Sequence, residues 1–191
     1  MKNENTPHFA ARLNAFKIGA ADYWPGKNSI TTSDLLGRAA AAGLTAADFN
    51  YPDHFVQDTP ADLSRALHEN GIVHKGLAKR YYTHPRYKLG ACTHPDATVR
   101  RAAIEETKRG LDALAEMGGD LMTLWMGQDG FDYSFQMEYR RAWDATIEAV
   151  AEVASHNPNI DIALEYKPNE PRALGLMPDA ATTLLALKEI G

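Results

Sequence analysis

The chain reads as an α/β fold built on a parallel sheet, and three observations carry that reading. Short apolar runs of strand length alternate with longer stretches of helical period through the sequence. The segments between successive strand candidates are long enough for the crossovers that parallel pairing requires. The last strand candidate, beginning at Ile160, is nearly continuous in apolar residues (Ile160, Ile162, Ala163, Leu164), the pattern of a strand covered on both faces.

Composition narrows the class of function. The 191 residues are 45% hydrophobic and 24% charged, ordinary for a soluble domain with a real core. A net charge of −5 gives no electrostatic footprint for nucleic acid, so no nucleic-acid partner is expected. The single cysteine, Cys92, excludes an internal disulfide and a thiolate zinc site, and it suits a reducing compartment. No run approaches the roughly 18 consecutive apolar residues of a membrane span, and Met1 to Leu13 lacks the apolar core of a signal peptide. The expectation is a cytoplasmic protein with no membrane partner.

Residues 1–14 read as an N-terminal arm and 15–191 as the domain. Phe16 to Ala20 is the first strand candidate, followed by a loop rich in Gly, Pro and Asn. Thr32 or Ser33 caps a helix to Ala42 that turns Leu35, Leu36 and Ala39 inward, with Gly43 as its stop. Leu44 to Tyr51 is the second strand, broken by Pro52, and Asn50, Tyr51 and His54 cluster at its end. A histidine placed this way is more often structural than functional. Thr59 caps the next helix, with Pro60 in its first turn and Gly71 at its end. Ile72 to Ala78 is the third strand, and Lys79, Arg80, Tyr81 and Tyr82 after it read as a solvated rim or the lining of a pocket, the rim being favoured. His84 and His94 lack ligand spacing.

Asp96 opens a long helix to Gly118 with Ile104, Leu111, Leu114 and Ala115 on its inward stripe. Leu121 to Trp125 is the fourth strand. Gly127 and Gly130 then permit a tight turn that keeps Trp125 and the acidic and amide groups near the strand's C-terminal rim, although a Trp at a strand end is usually core. Met137 to His156 is a helix with Trp143, Ile147, Val150 and Ala154 in register. Pro178 and Asp179 start a last one carrying Leu184, Leu185 and Leu187.

Chemistry concentrates between Ile160 and Arg172. Glu165 and Lys167 stand two apart at the C-terminal end of the strand, so their side chains share a face, and Pro168 and Pro171 stiffen the turn beyond. Spacing alone fits either a plain ion pair or a reactive site. The run from Glu165 to Arg172, Glu-Tyr-Lys-Pro-Asn-Glu-Pro-Arg, resembles the Glu-Pro-Lys-Pro-Asn-Glu-Pro-Arg signature at the fifth strand of xylose isomerases. Seven of eight positions agree and Tyr166 departs, a difference that suggests a sister group of xylose isomerase-like proteins.

The resemblance implies a partial (β/α) TIM barrel, about five of eight parallel βα units. It implies Glu165 as a metal ligand, for Mn or Mg, and Lys167 as a catalytic group that hydrogen-bonds the sugar during a hydride shift. His54, the second catalytic candidate, matches the position of a sugar-contacting histidine after the second strand. The run Trp125 to Gly130 resembles Trp-Gly-Gly-Arg-Glu-Gly, in which the tryptophan walls the sugar site. Asn50 and Arg80 complete the substrate-binding candidates.

The implied activity is metal-dependent aldose–ketose isomerisation of a small sugar. A sugar 3-epimerase and a non-catalytic half-barrel are the alternatives; the epimerases of that superfamily have the strand-five glutamate without the lysine. The ligands that the sixth to eighth strands would add have no counterpart here. The 191-residue chain is therefore expected to be an incomplete portion, to bind no metal alone and to be inactive. Its open sheet edges lead to the expectation of a homo-oligomer, a two-fold dimer.

Overall fold

The computed structural model describes residues 8–191. Along the chain run β1 (Ala10–Arg12), α1 (Ala20–Tyr23), α2 (Thr32–Ala41), β2 (Ala46–Tyr51), α3 (Pro60–Asn70), β3 (Val73–Arg80) and α4 (Ala97–Glu116). Then follow β4 (Leu121–Trp125), β5 (Gly130–Phe131), α5 (Tyr139–His156), β6 (Asp161–Glu165), β7 (Leu174–Gly175) and α6 (Ala180–Ile190). Five strands form a parallel sheet in the order β1-β2-β3-β4-β6, which is also their order in sequence, with a helix in every crossover. β5 and β7 form a separate antiparallel pair. Among the described residues no helix is long and apolar enough to cross a membrane.

Contacts divide the chain into two compact units. One holds the described part of Met1–Ala78 with Ala113–Leu121; the other holds Lys79–Asp112 with Met122–Gly191.

In the first unit both main helices begin on a capping box. Thr31 accepts from the Asp34 amide at 3.2 Å while the Asp34 carboxylate accepts from the Thr31 amide at 2.9 Å. The cap thus lies one residue before the expected Thr32 or Ser33, because only Thr31 has an acidic partner three residues on. Thr32 instead donates its hydroxyl to the His54 carbonyl. Thr59 and Asp62 repeat the device for α3, which ends on Gly71 in the left-handed region at φ 64°. Leu35, Leu36, Leu63, Phe49 and Leu77 are buried, each contributing about 1.5–3 kcal/mol of transfer free energy.

The first strand differs from expectation. Phe16 falls in a 3-10 turn, Leu13–Lys17, Ala20 opens α1, and Ile18 between them is 75% exposed. The strand is Ala10–Arg12, inside the stretch read as an arm, and it pairs parallel with Ala46–Asp48. Alanine has little strand preference, so pairing and not local propensity decides this element. Residues 1–7 of the arm lie outside the described residues.

In the second unit the supposed solvated rim is interior at three of its four residues, while Tyr82 is exposed. Lys79, Arg80 and Tyr81 are buried because β3 continues two residues beyond the apolar run. A buried ammonium is tolerated when it is paired. Lys79 lies 3.6 Å from Glu106, donates to the Arg80 carbonyl at 3.1 Å and sits 4.2 Å from the centre of the Tyr81 ring. On α4 the inward stripe includes Ile104, Leu111 and Leu114, but Ala115 is exposed and Ala113 takes its place. β6 also departs from expectation. Asp161, Ala163 and Glu165 are exposed, and Ile162 and Leu164 are only half-buried, because the strand stands at the sheet's edge.

Candidate functional site

β6 delivers Glu165 as its last residue, and the chain then turns through Tyr166 to Arg172 before β7. Backbone bonds fix the turn: Lys167 donates to the Met177 carbonyl at 3.1 Å and Gly175 to the Pro168 carbonyl at 2.9 Å. The β5–β7 pair brings backbones so close that a Cβ on Gly130 would meet the Leu174 carbonyl, and one on Gly175 the Lys167 carbonyl. Arg172 clamps the far end. Its buried guanidinium donates to Asp132 at 3.2 Å, to Gln136 at 3.0 Å and to the Lys88 carbonyl at 3.2 Å. The Ala173 amide and this guanidinium hold the Asp132 carboxyl below the usual range.

Trp125 at the end of β4, Glu165 and Lys167 line a single cleft, joined by Asp129 and Glu170. The two-residue spacing therefore brings Glu165 and Lys167 to the same cleft, while Tyr166 between them is 51% exposed and outside the lining. Lys167 forms its ion pair with Glu170, Nζ to Oε2 at 2.6 Å, and that contact holds the Glu170 carboxyl below its ordinary range. The ammonium also lies 5.4 Å from the centre of the Trp125 ring, a cation–π arrangement. The cleft is a space of about 360 Å³ that opens to solvent and is narrow at its inner end. This inner space takes a hydroxyl or a water and not a ring.

The sequence keeps the acidic groups after Trp125 near the strand's rim but gives Asp129 no role of its own. The side chain is 2% exposed. Its Oδ1 accepts from the Ala91 amide at 2.9 Å and from the Thr93 amide and hydroxyl at 2.7 Å each. Burial pushes its carboxyl up against the lowering pull of these bonds. No sequence signal separates a buried turn aspartate from the common exposed one. Glu170 as the partner of Lys167 was likewise missed.

The remaining candidates are not among the residues that line this cleft. Asn50 and His54 belong to the first unit and are buried. The Asn50 amide donates to His54 Nδ1 at 3.0 Å, and Asn50 Nδ2 donates to Asn14 Oδ1 at 2.5 Å. Arg80, in the second unit, donates to the Tyr82 hydroxyl at 2.7 Å and is outside the lining of the cleft. Among the described residues no group of three or more His, Cys, Asp or Glu side chains is placed to hold a metal ion. Glu165 supplies too few oxygens for the roughly six ligands a divalent ion takes, so these residues do not by themselves fit the implied metal.

The same architecture recurs in solved structures. D-Psicose 3-epimerase with D-tagatose, from Clostridium cellulolyticum H10, matches with a TM-score of 0.67 at 18% identity, over 96% of this chain and 60% of that one. An L-ribulose 3-epimerase matches with a TM-score of 0.70 at 16% identity, over 97% of this chain and 58% of its own. An AP endonuclease of family 2 from Brucella melitensis gives 0.68 at 13% identity, over 97% and 65%. The chain thus spans less than two thirds of the length of each, and at such identities the likeness is one of fold. The sequence model of the xylose isomerase-like TIM barrel family matches residues 36–190. That match covers most of a chain whose five parallel strands alternate with helices in the way of the TIM-barrel neighbours, and the chain belongs to the xylose isomerase-like TIM barrel family.

Proposed function

We propose that the chain is a portion of a sugar isomerase that interconverts an aldose and a ketose. One observation carries the reading: Lys167, Glu165 and Trp125 line one cleft at the C-terminal ends of β4 and β6, the end at which barrels of this kind place their chemistry. Trp125 offers an apolar wall to the face of a sugar. The Lys167 ammonium, turned from Glu170 to the ligand, donates to a substrate oxygen and stabilises negative charge developing there, a role commonly worth several kcal/mol. Glu165 accepts from sugar hydroxyls. A divalent metal, Mn or Mg, belongs to this reading only with ligands beyond the described residues.

A sugar 3-epimerase is the second reading, favoured by the two 3-epimerases of the same fold. The test is to incubate the 191-residue chain, and any longer form its gene encodes, with D-xylose, D-fructose and D-tagatose in the presence of Mn²⁺ or Mg²⁺. Aldose–ketose interconversion by the longer form, with no turnover by the 191-residue chain, is the expected result. Exchange at C3 without it favours the epimerase. Neither reaction nor sugar binding in any form would leave a non-catalytic scaffold and overturn the proposal.

A further inference from the structure

A carboxylate withdrawn from water is costly unless its oxygens find donors, and Asp129 meets that requirement on one side only. Its Oδ1 collects the three bonds from Ala91 and Thr93, and the Cys92 amide between them also pulls on the carboxylate. Its Oδ2 is buried without a hydrogen-bond partner, and Asp129 belongs to the lining of the Trp125–Glu165–Lys167 cleft. The same lining contains a buried donor in the same condition, Trp125 Nε1. A hydroxyl is the group that both donates to a carboxylate and accepts from an indole N–H. Size agrees, since the narrow inner end of the cleft has room for a hydroxyl.

Charge decides what that hydroxyl can belong to. The lining carries three carboxylates, Asp129, Glu165 and Glu170, against the one ammonium of Lys167, which is paired with Glu170 at 2.6 Å. A phosphate or carboxylate on the ligand would face a surplus of like charge in a partly enclosed space.

We propose that Asp129 is a ligand-contacting, specificity-determining residue whose Oδ2 accepts a hydrogen bond from a hydroxyl of a neutral, unphosphorylated sugar. The proposal rests on the sugar reading above and names the substrate class of that site. The competing account is a latch alone, in which Asp129 only ties residues 91–93 to the turn after β4.

Two variants separate these accounts. Asp129→Asn retains an oxygen for the 91–93 amides but turns a donor toward the ligand. Thr93→Val removes one latch bond and leaves the cleft lining unchanged. Binding is read without turnover, by titrating D-fructose, D-tagatose and D-fructose 6-phosphate while following the indole N–H resonance of Trp125, assigned with Trp125→Phe. The wild-type chain is expected to shift with the neutral ketoses and to bind the 6-phosphate no more tightly. Asp129→Asn should weaken the neutral ketoses about ten-fold or more, the loss usual for a bond to a charged acceptor. Thr93→Val should lower the melting temperature yet keep the dissociation constant within about two-fold, a small change on the same scale. Binding by wild type with an unchanged constant in Asp129→Asn overturns this inference and leaves the functional proposal standing. So does a loss of affinity that follows the loss of stability equally in both variants, or preferential binding of the phosphate. A wild-type chain silent to every neutral sugar overturns this inference, and silence of every longer form as well overturns both.

Discussion

Lys167 holds an exposed carboxylate and faces an indole ring, and these contacts set what its removal does. Its side chain is 37% exposed and that of Glu170 is 75%, so their ion pair is screened by solvent and contributes little to stability. Lys167→Met is therefore expected to leave the melting transition almost unchanged while abolishing turnover by the complete enzyme. Wild-type rates in that variant would remove Lys167 from the chemistry. Glu165 and Lys167 were legible in the sequence because a two-residue spacing at a strand end survives folding. Asp129 and Arg172 were not, since their burial depends on Ala91, Thr93, Lys88 and Asp132, partners 36 to 84 residues away that no local pattern announces.

Helix boundaries were legible where a cap is written into the sequence, and the strength of that cap is measurable. Thr59 accepts from the Asp62 amide at 3.2 Å and donates its hydroxyl to the same carboxylate at 2.7 Å. Thr59→Ala is expected to cost about 1 kcal/mol of unfolding free energy in a urea titration, with the slope unchanged. β1 was illegible for the opposite reason, because three residues of Ala-Ala-Arg owe their conformation to Ala46–Asp48. The two-residue β5 and β7 are too short to carry any period.

Between α4 and α5 the elements are tied by charge. Glu152 accepts from Arg101 at 2.5 and 2.6 Å and from Lys108 at 2.6 Å, and the Arg101 bond, followed by that of Lys108, pushes its carboxyl down to about 2. A lowered carboxyl contributes stability above its ordinary value near 4.5, and the contribution is lost as pH falls through about 2. Arg101 is 52% and Glu152 37% exposed, so solvent screens the cluster although Lys108 is only 18% exposed, and the contribution is at most about 1 kcal/mol. Glu152→Gln should lower stability by that much at pH 7 and flatten the fall between pH 4.5 and 2. An acid limb identical to wild type would show that the cluster contributes nothing.

At the scale of the whole molecule, the α/β class follows from alternation in the sequence, and the barrel family from the motif, but neither says what covers the exposed surfaces. β6 stands at the sheet's edge with Ala163 and Glu165 exposed, and an edge strand presents unpaired N–H and C=O groups to any chain that can pair with them. On α6, Leu184, Leu185 and Leu187 are 65%, 51% and 43% exposed, and Leu174 of β7 is 46% exposed. Leu184 and Leu187 stand one turn apart on α6, and exposed apolar surface of that kind marks an association site more often than a solvated face. A second copy of the chain is the occupant expected first, because closed two-fold pairing is the commonest assembly and uses the same patch twice. A stable interface of this type buries more than roughly 1,000 Å². Sedimentation at micromolar concentration should therefore give a dimer, and the double substitution Leu184→Glu, Leu187→Glu should give a monomer with unchanged helical circular dichroism. A wild-type chain that sediments as a stable monomer would reject the pairing and leave those leucines to a different partner.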